Sequence, residues 1–469
     1  MSASRTVAII GGGVAGIAAA LRTADAGWRP VLIETRAQLG GRATSFTDPR
    51  TSRTLDNCQH VLTGCCTNLC DLYDRLGVLD SIDWQTASYW ARGNGAYDTV
   101  SNARFLPAPL HFAIALLRLR GLGIAEKHRI AFAMWRMLRL GFAGRLRWGD
   151  RAFGEFLDRT RQGTRAREMF WEPIVISACN ASVTDCNAAH AMQVFQEGLL
   201  ASHWAGAIGV PNIPLRDLYA SAHAEIERVG GELRLGESAK AITFDGERAQ
   251  GVVTDAGMVP AHAVIAAVPP DRLSRLISNT LRAADRRLQR LDEFGFSPIL
   301  GVHLYFPSMV MQTPNLVLPG RRTQWLFTKR STEQGQLIHA VISAADAWME
   351  LDEREIVDRV LEDVRWALPD ARTVEPVEVR SVKERHATIR SSAHMDAMRP
   401  RATPYAGDLH GGVANLALAG DWTDTGWPAT MEGAARSGFA AAQAVTGGGG
   451  LVEELPIAVL SRLLGLRRS

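Results

Sequence analysis

The segment that most constrains the fold runs Val7-Ala-Ile-Ile-Gly-Gly-Gly-Val-Ala-Gly16, with Glu34 closing the next apolar run. Val7 to Ile10 reads as a buried parallel strand, Ile17 to Ala26 as an alanine-rich helix, and Val31-Leu-Ile-Glu34 as a second strand. Gly11, Gly13 and Gly16 set the spacing GxGxxG between strand and helix. Gly11 permits the tight turn, Gly13 lets the backbone approach a pyrophosphate, and Gly16 lets helix and strand pack closely. Val14, Ala15 and Gly16 are candidate cofactor contacts in the turn, and the free N–H groups and positive dipole end of the helix that follows suit phosphates. Glu34 stands where a ribose hydroxyl would donate to it. A glycine triplet alone says little. Inside one βαβ unit, with an acid at the end of the second strand, it predicts a dinucleotide site.

The next residues select the dinucleotide. Glu34-Thr35-Arg36 is followed by Gly40-Gly41-Arg42, a second glycine pair beside an arginine that a nicotinamide-only domain does not need. This resembles the ExRxxxGGR extension of flavoproteins of the amine oxidase and phytoene desaturase superfamily. The resemblance implies FAD, with the Gly-Gly-Arg loop under its pyrophosphate and Ala239 against its adenine. The far end of the chain agrees. Leu418-Ala-Gly420-Asp421-Trp-Thr, then Pro428-Ala-Thr-Met-Glu432-Gly-Ala434, looks like the closing FAD motif of that superfamily. There the Asp binds ribitol or pyrophosphate, and a helix starting at Thr430, Met431 and Glu432 aims N–H groups at the flavin.

The resemblance predicts an α/β fold: a Rossmann-type FAD-binding domain of the amine oxidase and glutathione reductase-like kind, interleaved with an α+β substrate domain. Segments 1–60, 215–270 and 415–445 are expected to form the first, and 61–214, mainly helical, with 271–414 the second. Residues 446–469 read as a flexible linker and a C-terminal amphipathic helix. A helix is expected over Asp217–Val229, then strands Glu232–Leu235, Ala239–Phe244, Ala249–Thr254 and Ala263–Val268. Leu300–Phe306, Gln324–Thr328 and Leu337–Ser343 alternate as the sheet floor of a substrate pocket, and Glu353–Ala367 is helical.

With 469 residues, 46% of them apolar and 22% charged, the chain can build a large core. A net charge of +3 gives no support to nucleic-acid binding. Cys58, Cys65, Cys66 and Cys70 cluster without CxxC spacing, so they read as small buried residues rather than a metal site. The first apolar stretch holds the glycine turn and is no signal peptide, and no run of about 18 apolar residues spans a membrane. Cytoplasmic is the expected location. Charge is unevenly placed, however. From Arg104 to Trp148 there are eight Arg and one Lys against a single acid, Glu126. Leu106–Leu119 and Ile130–Leu140 are apolar and helical in character, with Arg118, Arg120, Arg136 and Arg139 interleaved. Basic amphipathic helices suit the anionic inner face of the cell membrane, although arginines over ordinary core helices give the same pattern.

A narrower resemblance covers nearly the whole chain. Asp56-Asn-Cys58-Gln-His60, Phe170-Trp171-Glu-Pro173, Asn180, Pro211-Asn-Ile-Pro-Leu-Arg-Asp-Leu218 and Gly420-Asp-Trp-Thr-Asp-Thr-Gly426 are similar to the hydroxysqualene dehydroxylases of hopanoid biosynthesis. One departure is Cys58, where that family has Gly, which matters if φ there must be positive. The resemblance implies reductive removal of the hydroxyl of hydroxysqualene to give squalene, with reduced FAD as hydride donor and NADPH as reductant. An allylic alcohol leaves as water only if protonated, so the site needs an acid, an apolar tunnel and exclusion of water. His60, titratable near neutral pH, and Asp56 are the expected acid or relay, unless they merely tie the loop together. Cys58, Trp171 and Asn180 are expected to line the substrate cavity. Two other readings stay open: an oxidative desaturase of a carotenoid-type polyene or an amine oxidase, and a prenyl-binding escort protein without flavin.

Overall fold

The computed structural model describes residues 5–332, 335–403 and 412–468. Residues 1–4, 333–334, 404–411 and 469, which the expected segments include, lie outside these. Strand Thr6–Ile10, helix Val14–Asp25 and strand Arg29–Glu34 form the predicted βαβ unit, with Ile10 in parallel register with Ile33. Gly16 is required there, because a Cβ would stand 1.8 Å from the Gly11 carbonyl oxygen. Three later strands complete a parallel five-stranded sheet. Glu232–Leu235 joins beside Arg29–Glu34, Ala263–Ala266 beside the first strand, and Leu416–Leu418 outside that. The apolar runs of Ala263–Ala266 and Leu416–Leu418 are buried on both faces, as a helix-covered parallel sheet demands, while the edge strand Glu232–Leu235 is partly exposed. Helix Met431–Thr446 packs on Val14–Asp25 so closely that a Cβ on Gly438 would meet the Ala15 oxygen at 2.2 Å. A three-stranded meander, Ala239–Phe244, Ala249–Thr254 and Gly257–Pro260, flanks the sheet.

The second layer is a seven-stranded sheet of largely antiparallel strands. Its order is Glu378–Ile389, Phe296–Phe306, Gly335–Ser343, Trp325–Thr332, Asn315–Val317, Ala87–Gly93 and Ala96–Ser101. Alternation gives it two faces. Leu326, Ile338, Ala340 and Ile342 pack towards helix Glu353–Ala367, while Phe327 and Val341 face the opposite way. Above that second face lies a helical unit built on Ile124–Leu146 and on segments 164–179 and 188–200. Buried Phe153, Trp171 and Phe195 form its aromatic centre.

Some elements differ from the sequence reading. The stretch expected to be mainly helical contributes Ile82–Gln85 and the hairpin Ala87–Gly93/Ala96–Ser101 to sheets. The helix expected over Leu106–Leu119 covers only Ala113–Arg118 after a single 3₁₀ turn. Asp217–Val229 splits into a 3₁₀ turn ending at Tyr219 and helix Ala222–Arg228. At the C-terminus regular helix is confined to Val459–Leu463. Its Ser461 hydroxyl donates to the Leu200 oxygen at 2.6 Å and Leu466 is fully buried, so the tail is docked rather than presented as a long amphipathic helix.

Candidate active site

The glycine turn and the Gly-Gly-Arg loop lie against each other. Gly40 N donates to the Gly12 oxygen at 2.9 Å, and a Cβ on Gly41 would stand 3.0 Å from Gly13 Cα. No side chain caps the helix that begins at Val14, so the N–H groups of Val14, Ala15 and Gly16 keep their donor capacity for an anion. Glu34 ends its strand buried, with Oε2 accepting from Gly12 N at 2.6 Å and Oε1 from Arg36 N at 2.8 Å. Each oxygen keeps a lone pair for a ribose hydroxyl. The Thr35 and Ser238 hydroxyls are hydrogen-bonded, which brings Ala239 beside the end of that strand. Arg36 holds the loop by donating to the Gly41 oxygen at 2.8 Å. Arg42 is ion-paired with buried Asp421 and donates to the Ala387 oxygen, joining the loop to the closing motif and to the substrate sheet.

In the closing motif Gly420 N donates to the Ser437 hydroxyl at 2.7 Å, and the Thr430 hydroxyl caps its helix by accepting from Gly433 N at 3.1 Å. Ala434 N completes the first turn on the Thr430 oxygen. The Glu432 side chain turns away to a structural task. Its carboxylate accepts from Asn68 N and Nδ2 and from Leu69 N, capping helix Thr67–Arg75. These uncapped N–H groups, close-packed glycines and the buried Asp421 fit FAD.

A cavity of about 710 Å³ begins at this motif, where Trp427, Pro428, Thr430 and Met431 form its wall. Ile299, Trp325, Phe327 and Val341 form a floor on the seven-stranded sheet, and Leu116, Leu119, Met134 and Phe170 line it from the helices. At its outer end Leu117 and Ile124 are 68% and 76% exposed. Such a size and lining suit a long apolar ligand.

The expected acid does not stand in this cavity. Cys58 lines it, but Asp56 and His60 do not. Burial opposes a charge on Asp56, yet Lys329 Nζ at 3.0 Å, the Leu215 amide and the Ser45 hydroxyl outweigh it and hold the carboxyl below its usual value. A carboxylate so held is a poor proton donor. Burial likewise pushes His60 below its ordinary value, and its Nδ1 lies 3.3 Å from the Cys58 oxygen. It is neutral near pH 7, so the assignment of His60 and Asp56 as acid is corrected. Both belong to a buried polar stack with His303 and His339, whose rings lie 4.0 Å apart. Burial pushes the Cys58 thiol up to about 12, and its φ is not positive, so Cys replaces Gly there without backbone strain.

Two expected lining residues also stand elsewhere. Trp171 is fully buried in the aromatic centre and donates to Gln162 Oε1 at 2.9 Å; its neighbour Phe170 reaches the cavity instead. Asn180, in a left-handed conformation that ends helix Glu172–Cys179, is a clamp. Its Nδ2 donates to the Ser297 oxygen and Thr388 hydroxyl, and its Oδ1 accepts from Ala344 N. Sequence reasoning missed Arg399, which donates to the carbonyls of Asp421, Thr423 and Trp427 and so braces the whole closing motif from within. No local pattern marks such an arginine.

The profile of the family described as flavin containing amine oxidoreductase matches residues 14–446. The chain belongs to this family. As a flavin amine oxidoreductase it is an FAD-dependent oxidoreductase, and its relatives divide by substrate. Hydroxysqualene dehydroxylase of Sinorhizobium fredii is 26% identical over 450 residues, covering 93% of this chain and 97% of that protein. 15-cis-phytoene desaturase of Narcissus pseudonarcissus is 23% identical over 453 residues, covering 94% and 79%. An oxidoreductase from Methanosarcina mazei shares the fold of this flavin amine oxidoreductase, with a TM-score of 0.70 at 16% identity over 92% of this chain and 98% of that one.

Proposed function

We propose that this flavin amine oxidoreductase removes the hydroxyl of hydroxysqualene to give squalene, drawing electrons from NADPH. The observation that carries this reading is the long apolar cavity whose inner end is the closing FAD motif. The relatives named hydroxysqualene dehydroxylase, matched over almost their whole length, support it. FAD, when bound, supplies the hydride. The C–O bond breaks, the oxygen leaves as water with a proton, and a C–H bond forms at the same carbon. The floor and helical walls orient the isoprenoid and exclude water, which keeps the allylic cation from being captured as alcohol again. Arg399 and Arg42 hold the closing motif in place.

The mouth of the cavity supports a membrane partner. Helix Ile124–Leu146 exposes Phe132 and Trp135 among exposed Arg129, Arg136 and Arg139. We place this face on the anionic inner leaflet of the cell membrane, where a substrate dissolved in lipid enters without crossing water. No helix among the described residues is long and apolar enough to cross a membrane.

Anaerobic incubation of the FAD-loaded protein with NADPH and hydroxysqualene, followed by mass spectrometry of the lipids, tests the reaction. Squalene that requires both protein and FAD is the expected result. Unchanged hydroxysqualene beside bound, reduced flavin would favour a polyene desaturase, the activity named for the second group of relatives.

A further inference from the structure

Polar groups in an apolar cavity are costly to bury, so those that remain unpartnered call for an explanation. One such group is Gln193, which lines the cavity, is 3% exposed and has no hydrogen-bond partner for its Nε2. Glu197, four residues on, lines the same cavity and is 7% exposed. Residues four apart on a helical segment share a face. Arg145 Nη2 holds Glu197 Oε1 at 2.6 Å, which compensates its charge and fixes its orientation.

The backbone here is unusual. Val194–Leu200 forms a π turn, a geometry concentrated at functional sites. The turn sends Gln196 away from the cavity into the buried packing against helix Ile124–Leu146, where its Nε2 donates to the Met137 and Gly141 oxygens at 2.7 and 3.1 Å. Gln193 and Glu197 are left on the cavity side. The start of this segment is tied to the closing motif: His190 Nε2 lies 3.3 Å from Arg399 Nη1, which donates to the Trp427 oxygen at 2.6 Å. Gln193 therefore follows one turn after the point where the segment meets the FAD end of the cavity.

We propose that Gln193 and Glu197 recognise an alcohol oxygen on a long apolar ligand, the Gln193 amide donating to that oxygen and Glu197 Oε2 accepting a hydrogen bond from its hydroxyl. This rests on reading the cavity as an isoprenoid-alcohol site and gives that reading its polar contact. A pure hydrocarbon would leave the Gln193 amide without a partner, so the pair selects for the alcohol as well as positioning it. Burial pushes the Glu197 carboxyl upward while the Arg145 guanidinium pulls it back.

Hydroxysqualene and squalene differ by this hydroxyl and make a matched pair of probes. Their binding to the oxidised, FAD-loaded protein without NADPH is followed by quenching of the fluorescence of cavity tryptophans such as Trp325 and Trp427. We expect hydroxysqualene to bind about tenfold tighter, as one added hydrogen-bond set warrants. Gln193→Leu and Gln193→Met should bring the ratio near one with squalene affinity unchanged, and Glu197→Gln should lower it several-fold. Equal affinities in the parent protein, or an undiminished ratio in both Gln193 variants, overturn the proposal. So does loss of both ligands in both Gln193 variants, because it assigns Gln193 a structural role. Alcohol preference without squalene formation in the turnover assay would refute the reaction and leave the recognition site standing. Squalene formation with a Gln193-independent ratio would do the reverse.

Discussion

Asp56 shows how a residue's neighbours overrule its type. The Lys329 ammonium that keeps it ionised comes from a strand of the other sheet, and the histidines around it are neutral because they are buried. The pH dependence follows with a definite sign. Burial depresses His303 from 6.5 to about 4 and shifts His60 and His339 the same way, so an unfolded chain binds more protons below pH 6.5. Stability is then complete above that value and lost as the pH falls towards 4, with His303 alone contributing on the order of 3 kcal/mol. Asp56, depressed below 3.8, adds a further loss at still lower pH. Thermal melting should be level from pH 8 to 7 and fall steadily from 6.5 to 4, less steeply in His303→Gln; a level profile throughout would contradict the neutral stack. The glycines, Glu34, Arg42 and Asp421 were legible in the sequence because their roles depend on local turns and strand ends. Burial is what the sequence conceals: His60 reads as titratable, and Trp171 and Asn180 as lining, until a distant sheet or an aromatic cluster claims them.

Among elements, helix Ile124–Leu146 holds the most informative irregularity. Gly141 breaks its φ/ψ pattern at φ +60, and a Cβ there would meet the Gly465 oxygen at 3.0 Å. Gln196 from the π turn satisfies the carbonyls exposed by this kink. Gln196→Leu would strand buried acceptors at about 1–3 kcal/mol. A lower urea midpoint at unchanged slope is the expected result, and an unchanged midpoint would show that the kink sustains itself. Helical and strand periods were readable over Glu353–Ala367 and the strands from Glu232 to Ser343 because their buried faces repeat regularly. The missed hairpin had its own signal. Asn94-Gly95 sits at its turn with φ of 52° and 75°, the pairing that a tight two-residue hairpin turn prefers, but the surrounding apolar helices drew the reading away.

At the scale of the molecule, two bodies share one chain, and the cavity lies where they meet. Its exposed rim sets a test of the membrane placement. Vesicles containing phosphatidylglycerol should sediment the protein, with binding weakened by salt, while phosphatidylcholine vesicles should bind it poorly; Phe132→Glu with Trp135→Glu should abolish the difference. Equal partition to both vesicles would remove the anionic surface as the partner. The interleaving itself was visible as FAD motifs at opposite ends of the sequence. The docked tail was not, since Leu464 and Leu466 look like any amphipathic pattern until the helical unit they close is in place.

The strand order of the parallel sheet also has a temporal side. Thr6–Ile10 pairs with Arg29–Glu34 soon after both emerge from the ribosome, but its other neighbour is Ala263–Ala266, and Leu416–Leu418 comes later still. At roughly 5–20 residues per second the first strand waits on the order of tens of seconds with one edge bare. A nascent chain in that interval holds half a nucleotide cradle, and such an edge is a template for pairing with the wrong chain. The arginine of the early loop finds Asp421 only when the late segment has been made. The complete cradle, with Arg42 paired to Asp421, therefore exists only in a chain whose translation has passed the final strand of that sheet.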